Sequence, residues 1–275
     1  MNRRAFIGAG ATVLTGAGLL GYTTQVEPHW LKIVRRPLRI ASLPATLHGA
    51  TLVQVSDLHV CSYVDEGYLM ESLDRARALA PDIVVFTGDF VTWERTSIAQ
   101  VDRVLAHFPH GKLATFAILG NHDYGPTWRD LRIADQIVST VSARGIRVLR
   151  NETASIAGLD VIGVDDLWSG RSDPQLALSQ RSNAAAIALC HNPDAQDSLS
   201  WDGFSGWILA GHTHGGQCKA PFLPPPILPV TNKRYSAGEV RVDANRTLYI
   251  NRGVGYLLKA RFNVRPEITL FTLTG

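Results

Sequence analysis

Short apolar runs alternate with amphipathic stretches along this chain, and most of the runs stop at a glycine or a small polar cluster. Residues 51–56 are β-rich and stop at Asp57-Leu58-His59. Across residues 67–80, Leu69, Met70, Leu73, Ala76, Leu79 and Ala80 fall at helical spacing, and Pro81 ends the pattern. The run 83–87 is apolar enough for a buried strand and ends at Gly88-Asp89. Residues 97–108 place Val101, Val104, Leu105 and Phe108 on one helical face. The run 114–119 is a further buried strand that meets Gly120-Asn121-His122-Asp123, and residues 128–143 read as a helix.

Beyond residue 145 the alternation loosens. Residues 146–149, 154–156 and 159–164 are expected as successive strands of a second sheet. The run 184–189 leads to Cys190-His191-Asn192, and 206–210 leads to Gly211-His212-Thr213-His214. Residues 221–229 hold five prolines, which excludes regular structure there. Strands at 237–242, 247–251 and 267–273 close the pattern. No linker divides these elements, so residues 46–275 read as one α/β domain.

The N-terminal end follows other rules. Arg3-Arg4 precedes an uncharged stretch, 7–21, rich in glycine and alanine. That pattern reads as a twin-arginine-type export signal over residues 1–21, either cleaved or kept as an anchor. It predicts a periplasmic or otherwise extracytoplasmic, membrane-associated protein with the export machinery and a membrane surface as partners. In the membrane-proximal segment 22–45, Lys32, Arg35, Arg36 and Arg39 alternate with Ile33, Val34, Leu38 and Ile40. One reading is an edge strand with solvated charges, which Pro37 fits. The other is a basic segment against anionic lipid.

Composition adds bounds. With 275 residues and 45% hydrophobic content, the chain can bury a sizeable core. A net charge of +3 gives no concentrated basic face, so no nucleic-acid partner is expected. Three cysteines, Cys61, Cys190 and Cys218, do not make a disulfide framework.

Chemistry concentrates at the strand ends. Five of the nine histidines, His59, His122, His191, His212 and His214, sit where an apolar run stops. Asp57, Asp89, Asn121 and Asp123 accompany them. In extended backbone, residues two apart point the same way, so Asp57 with His59, and His212 with His214, are each expected to reach one point. Asp57, His59, Asp89, Asn121, His191, His212 and His214 make seven candidate ligands. That is too many for one tetrahedral ion and suits two ions sharing a carboxylate. Oxygen and imidazole donors without thiolate suit Mn, Fe or Zn.

In this order, Asp-x-His, Gly-Asp, Gly-Asn-His-Asp, a lone His after a strand, and Gly-His-x-His resemble the calcineurin-like metallophosphoesterases over residues 50–255. The resemblance implies a four-layer α-β-β-α sandwich with two divalent metals, Mn first, at the strand ends. It puts Asp57, His59, Asp89 and His214 on one ion and Asp89, Asn121, His191 and His212 on the other. It leaves His122 free of the ions, to protonate the leaving oxygen or hydrogen-bond the developing charge, with Asp123 expected to orient or charge-stabilise its imidazole. The expected reaction is hydrolysis of a phosphodiester or pyrophosphate by a metal-activated water. The blocks 163–168, 191–194, 211–217, 233–235 and 252–255 are similar to a bacterial branch of exported phosphodiesterases related to UDP-2,3-diacylglucosamine pyrophosphatases. That similarity implies a lipid-linked nucleotide substrate of the lipid A type. Arg252, Arg234, Arg171 and Lys233 are cations near these blocks and candidates for gripping substrate phosphate. Trp168 and the 221–229 loop are a candidate apolar lip. A monoesterase or protein phosphatase, a nuclease, or a non-catalytic metal-binding module would be the alternatives.

Overall fold

Along the central strands, successive side chains enter different cores. The computed structural model describes residues 16–92 and 97–275, so Arg3-Arg4 lies outside the described residues. On β2 (Thr51–Val55), Leu52 faces one cluster of buried side chains while Val53 and Val55 face another. β3 (Ile83–Thr87) divides Ile83 and Val85 from Val84 and Phe86 in the same way. β8 (Ala185–Cys190) divides Ala185, Ile187 and Leu189 from Ala186, Ala188 and Cys190. Strands that read as unbroken apolar runs are therefore covered on both faces, as parallel sheets require.

Two six-stranded mixed sheets result. The first has the order β1 (Lys32–Arg39), β12 (Glu267–Thr274), β2, β3, β4 (Ala114–Ile118), β5 (Arg147–Val148). The second has the order β10 (Gly238–Arg241), β11 (Arg246–Ile250), β9 (Gly206–Ala210), β8, β7 (Leu159–Val164), β6 (Glu152–Ile156). The helices α1 (Glu66–Arg77), α2 (Ile98–Leu105) and α3 (Leu131–Ala143) bury their apolar faces against the first sheet. Short helices α4 (Pro174–Leu178) and α5 (Ala195–Ser198) cover the second. The middle core joins the two sheets through Leu38, Phe116, Ile118, Leu189, Leu209 and Phe271. The four-layer α/β architecture is the one expected.

Several local expectations change. Residues 147–148 do not start the second sheet. β5 pairs in parallel with β4 (Phe116↔Arg147, Ala117↔Val148), because α3 returns the chain to the sheet it left, as a βαβ crossover does. α3 begins at Leu131, not at Trp128. Asp130 takes the cap position and accepts from the Arg132 N–H at 2.9 Å, while Trp128 turns into the left-handed region with φ 60°. β1 is the edge strand of the first sheet, with Pro37 opposite Thr272. No helix among the described residues is long and apolar enough to cross a membrane.

Candidate metal centre

β2, β3 and β4 run parallel in one sheet, and β8 and β9 run parallel in the other. Their carboxyl ends meet at one end of the sandwich, where open α/β sheets place their sites. Asp57 and His59 follow β2, Asp89 follows β3, and Asn121 and His122 follow β4. His191 follows β8, and His212 and His214 follow β9. Buried polar contacts lock the two sheets together here. Gln54 Nε2 donates to the Ala210 carbonyl at 3.0 Å, and His191 Nδ1 lies 2.7 Å from the Thr87 carbonyl.

The side chains gather in overlapping groups. Asp57, His59 and His214 bring one donor atom each to within 4.8 Å of one another, as do Asp89, His191 and His212. A third group joins His59, Asp89 and His122. Asp89 Oδ2 lies 3.5 Å from His59 Nε2 and 3.2 Å from His191 Nε2, between the two sheets' contributions. His214 Nε2 lies 3.3 Å from Asp57 Oδ1 and 2.9 Å from His59 Nε2. His212 Nδ1 and His191 Nε2 are 3.3 Å apart.

Extended backbone does not produce this convergence. Asp57, His59, Asp89, His212 and His214 all have left-handed φ, between 49° and 72°. Asp and His tolerate that region better than most residues, and clustering of such strain is a mark of functional sites. One consequence corrects the spacing argument. Asp57 and His59 share a group, but His212 and His214 turn into different ones. Gly120 is needed for close approach: a Cβ there would lie 2.2 Å from Asp89 Oδ1.

Charge and tautomer suit cation binding. Burial pushes His59 and His212 down to about 3 and His214 well below its ordinary value, so all three imidazoles are neutral at neutral pH. His191 donates Nδ1–H to Thr87 and His212 donates Nε2–H to Pro229, at 2.9 Å, which leaves their other nitrogens facing the cluster. Burial works against the Asp89 carboxylate, yet His191, His122 and His59 around it hold its pKa well below the usual range. Burial alone would lower His191, but Asp89, Asp57 and Asp166 raise it to about 10. Asn121 supplies the most direct test of fit. It is fully buried, and both its Oδ1 and Nδ2 lack any hydrogen-bond partner. A buried amide oxygen without a donor is costly unless a cation fills that role. The seven residues therefore fit a pair of divalent ions.

Other expected residues are placed differently. His122 is only part-buried, its ring lies 5.1 Å from that of His59, and no hydrogen bond joins its ring nitrogens to another of the described residues. Asp123 does not orient it. Its carboxylate accepts from the backbone N–H groups of Gly120 (2.9 Å), Asp89 (3.0 Å) and Val91 (3.2 Å), tying the ends of β3 and β4 together. Burial and the Asp89 charge raise its pKa against the pull of those donors. Arg252 directs its guanidinium to the buried Glu267 carboxylate, in a separate cavity of about 330 Å³ shared with Lys32, Arg36 and Lys219. Arg234 donates to the Arg241 carbonyl, and Lys233 Nζ donates to the Leu228 and Val230 carbonyls, bracing the proline-rich loop. Arg171 is exposed and uses its backbone to bond Ser169 and Asn151. None of these four cations belongs to the cluster.

Two further buried groups were not among the expected site residues. Arg261 is fully buried and donates to the carbonyls of Arg252, Gly253, Gly255 and Val264, beneath the segment that supports Asp57. Asp166 is fully buried, with Oδ2 unpartnered and burial raising its pKa to about 7. All three cysteines are free, and Cys61 and Cys190 are buried.

Residues 50–216 match the family model described as calcineurin-like phosphoesterase, so this chain belongs to that family and is a metal-dependent phosphoester hydrolase. Family members use divalent metals. Among named relatives, it is 32% identical to phosphodiesterase YaeI of Escherichia coli (strain K12), over 99% of both chains. It is 34% identical to the uncharacterized metallophosphoesterase YkuE of Bacillus subtilis (strain 168), over 99% of this chain and 98% of that one. It is 28% identical to UDP-2,3-diacylglucosamine pyrophosphatase LpxG of Chlamydia trachomatis, over 96% of both.

Proposed function

We propose that this protein hydrolyses a phosphodiester or pyrophosphate bond in a substrate that carries a lipid chain. The observation behind the lipid is an apolar cavity of about 290 Å³ that opens against His212 and His214. Pro226, Ile227, Pro229, Leu257 and Leu258 line it. Ile227 and Leu258 stay 77% and 69% exposed. An acyl chain laid there gains roughly 25 cal/mol for each Å² it removes from water, next to the reacting centre. The bond class is supported by the names of relatives, a phosphodiesterase and a pyrophosphatase of a diacylated sugar nucleotide.

Membrane association belongs to the same reading. Residues 16–21 are helical and expose Leu19 and Leu20. They continue into a segment whose Thr23 carbonyl accepts from the Arg261 N–H at 2.8 Å, so this helix is tied to the loop that carries Leu257 and Leu258. A single lipid-facing surface is the simplest use of both. The Arg3-Arg4 pair supports export by the twin-arginine route.

In the mechanism, Asp57, His59, Asp89 and His214 would hold one ion, and Asp89, Asn121, His191 and His212 the other. Mn²⁺ is our first choice, with Fe and Zn compatible with the same donors. Divalent ions there supply Lewis-acid polarisation of the phosphoryl group and acidify water. The remaining work falls to the chain. His122, part-exposed beside His59, protonates the leaving oxygen, a role worth roughly 10²–10⁴-fold in rate.

The test is a panel assay of the purified full chain with Mn²⁺ on bis-aryl phosphates, mono-aryl phosphates and a nucleotide-diphospho-lipid. Diesters should turn over faster than monoesters, and the lipid substrate should show the lowest KM. Faster monoester turnover would overturn the bond class, and a lipid substrate no better than its short-chain analogue would overturn the lipid.

A further inference from the structure

An arc of aromatic rings crosses the mouth of the metal centre. His122 lies 6.4 Å from Trp128, Trp128 stacks on Trp168 at 4.7 Å and 30°, and Trp168 meets His212 edge-on at 4.6 Å and 88°. The two tryptophans thus join the His122 side of the cluster to the His212 side. Each is held by a dedicated turn. Trp128 has φ 60°, a conformation that bulky residues rarely accept, and its N–H bonds the Gly125 carbonyl at 3.0 Å. The buried Asp166 carboxylate accepts from the N–H groups of Trp168 (2.8 Å) and Ser169 (3.0 Å) and so fixes the second indole. Trp168 covers one face of Trp128, yet Trp128 remains 38% exposed. It borders an open cleft of about 590 Å³ with Thr127, Arg129 and Leu167, a volume within the ~300–1,000 Å³ of small-molecule sites.

Packing does not account for this arrangement. A strained backbone, a buried carboxylate and a stacked pair together hold one large π face open beside the reacting centre. From this geometry we infer that Trp128, backed by Trp168, is a stacking platform for a nucleobase carried by the substrate. The inference rests on the phosphodiester or pyrophosphate reading of the cluster, since a phosphate held there brings the rest of a nucleotide onto the cleft. Base-on-aromatic stacking tolerates any base, so the platform selects for the presence of a base and not for its identity.

The test uses the full-length, Mn²⁺-loaded protein and calorimetric binding of uridine 5′-monophosphate, adenosine 5′-monophosphate and ribose 5-phosphate. The wild type should bind both nucleotides about tenfold tighter than ribose 5-phosphate. Trp128→Leu should bind all three alike, with metal content unchanged, while Trp128→Phe should restore part of the preference. Trp168→Leu, which removes the backing ring, should weaken the preference as well. A wild type that binds all three alike, or a Trp128→Leu protein that keeps the preference, overturns the platform. Diester turnover measured in parallel separates the two ideas. Turnover without base preference sinks the platform alone, and base preference without turnover of any diester sinks the reaction alone.

Discussion

Replacing Asp123 with alanine distinguishes a brace from a catalytic partner. Three buried backbone N–H groups, at Gly120, Asp89 and Val91, lose a side-chain acceptor in Asp123→Ala. A buried donor left unpaired costs about 1–3 kcal/mol, and water entering the vacated space offsets part of that. A net loss of about 3–5 kcal/mol is therefore expected, which for a chain of this size lowers the melting temperature by on the order of 10 °C. The measurement is a calorimetric melt of metal-stripped protein at neutral pH, so that lost metal affinity does not contribute. Activity should fall too, because Asp89 and Asn121 sit on the two strand ends that Asp123 joins, but it should fall along with metal content. Suppose instead that Asp123→Ala melts within about 1 °C of wild type, keeps both metals and loses as much turnover as His122→Ala. The brace would then be refuted, and Asp123 would act through the imidazole.

Three further outcomes follow from the geometry. Because neighbouring carboxylates raise His191 to about 10, metal binding at pH 7 should release about one proton from it, seen as a buffer-dependent binding enthalpy and lost in His191→Asn. The sign for the metal-free protein follows: the His191 contribution to stability is full below its ordinary value and is lost as pH rises through about 10. Gly253 has φ 70°, and a Cβ there would lie 2.7 Å from that of Asp57 and 3.1 Å from His214 Nδ1, so Gly253→Ala should weaken metal binding about tenfold or more by titration, with roughly 1–2 kcal/mol of backbone strain. The pair Ile227→Ser and Leu258→Ser should raise KM for a lipid-linked substrate about tenfold, as expected for two apolar side chains lost from a binding cavity, and leave KM for a short diester unchanged.

The clustering of candidate ligands was legible because metal chemistry demands particular residue types, and parallel strands deliver them at their carboxyl ends. The runs 83–87, 114–119 and 206–210 announced buried strands, and the polar residues that stopped them announced the site. Local spacing was a poorer guide to direction. It treated Asp57-x-His59 and His212-x-His214 alike, whereas Asp57 and His59 share one group and His212 and His214 fall in different ones. Asp123 and Trp128 were misplaced for a related reason. A side chain's partner depends on a turn, and the N–H groups bound by Asp123 come partly from residues 89 and 91, far away in sequence. Arg261 had no signal at all, since only the fold reveals that its guanidinium is spent on carbonyls. The assignment of 147–148 to the wrong sheet reflects the same limit: strand periodicity identifies a strand and not its neighbour.

The position of β12 bears on how the protein is made. This strand lies between β1 and β2, although some two hundred residues separate it from them in the sequence. The Asp57 loop also depends on late residues, since Val254 and Gly255 donate to the Ser56 and Asp57 carbonyls at 3.0 and 2.7 Å. The chain up to His214 therefore carries every candidate ligand but lacks the strand and loop that aim the first of them. Full-affinity metal capture would therefore follow, not precede, the docking of residues 253–274 onto β1, β2 and the Asp57 loop.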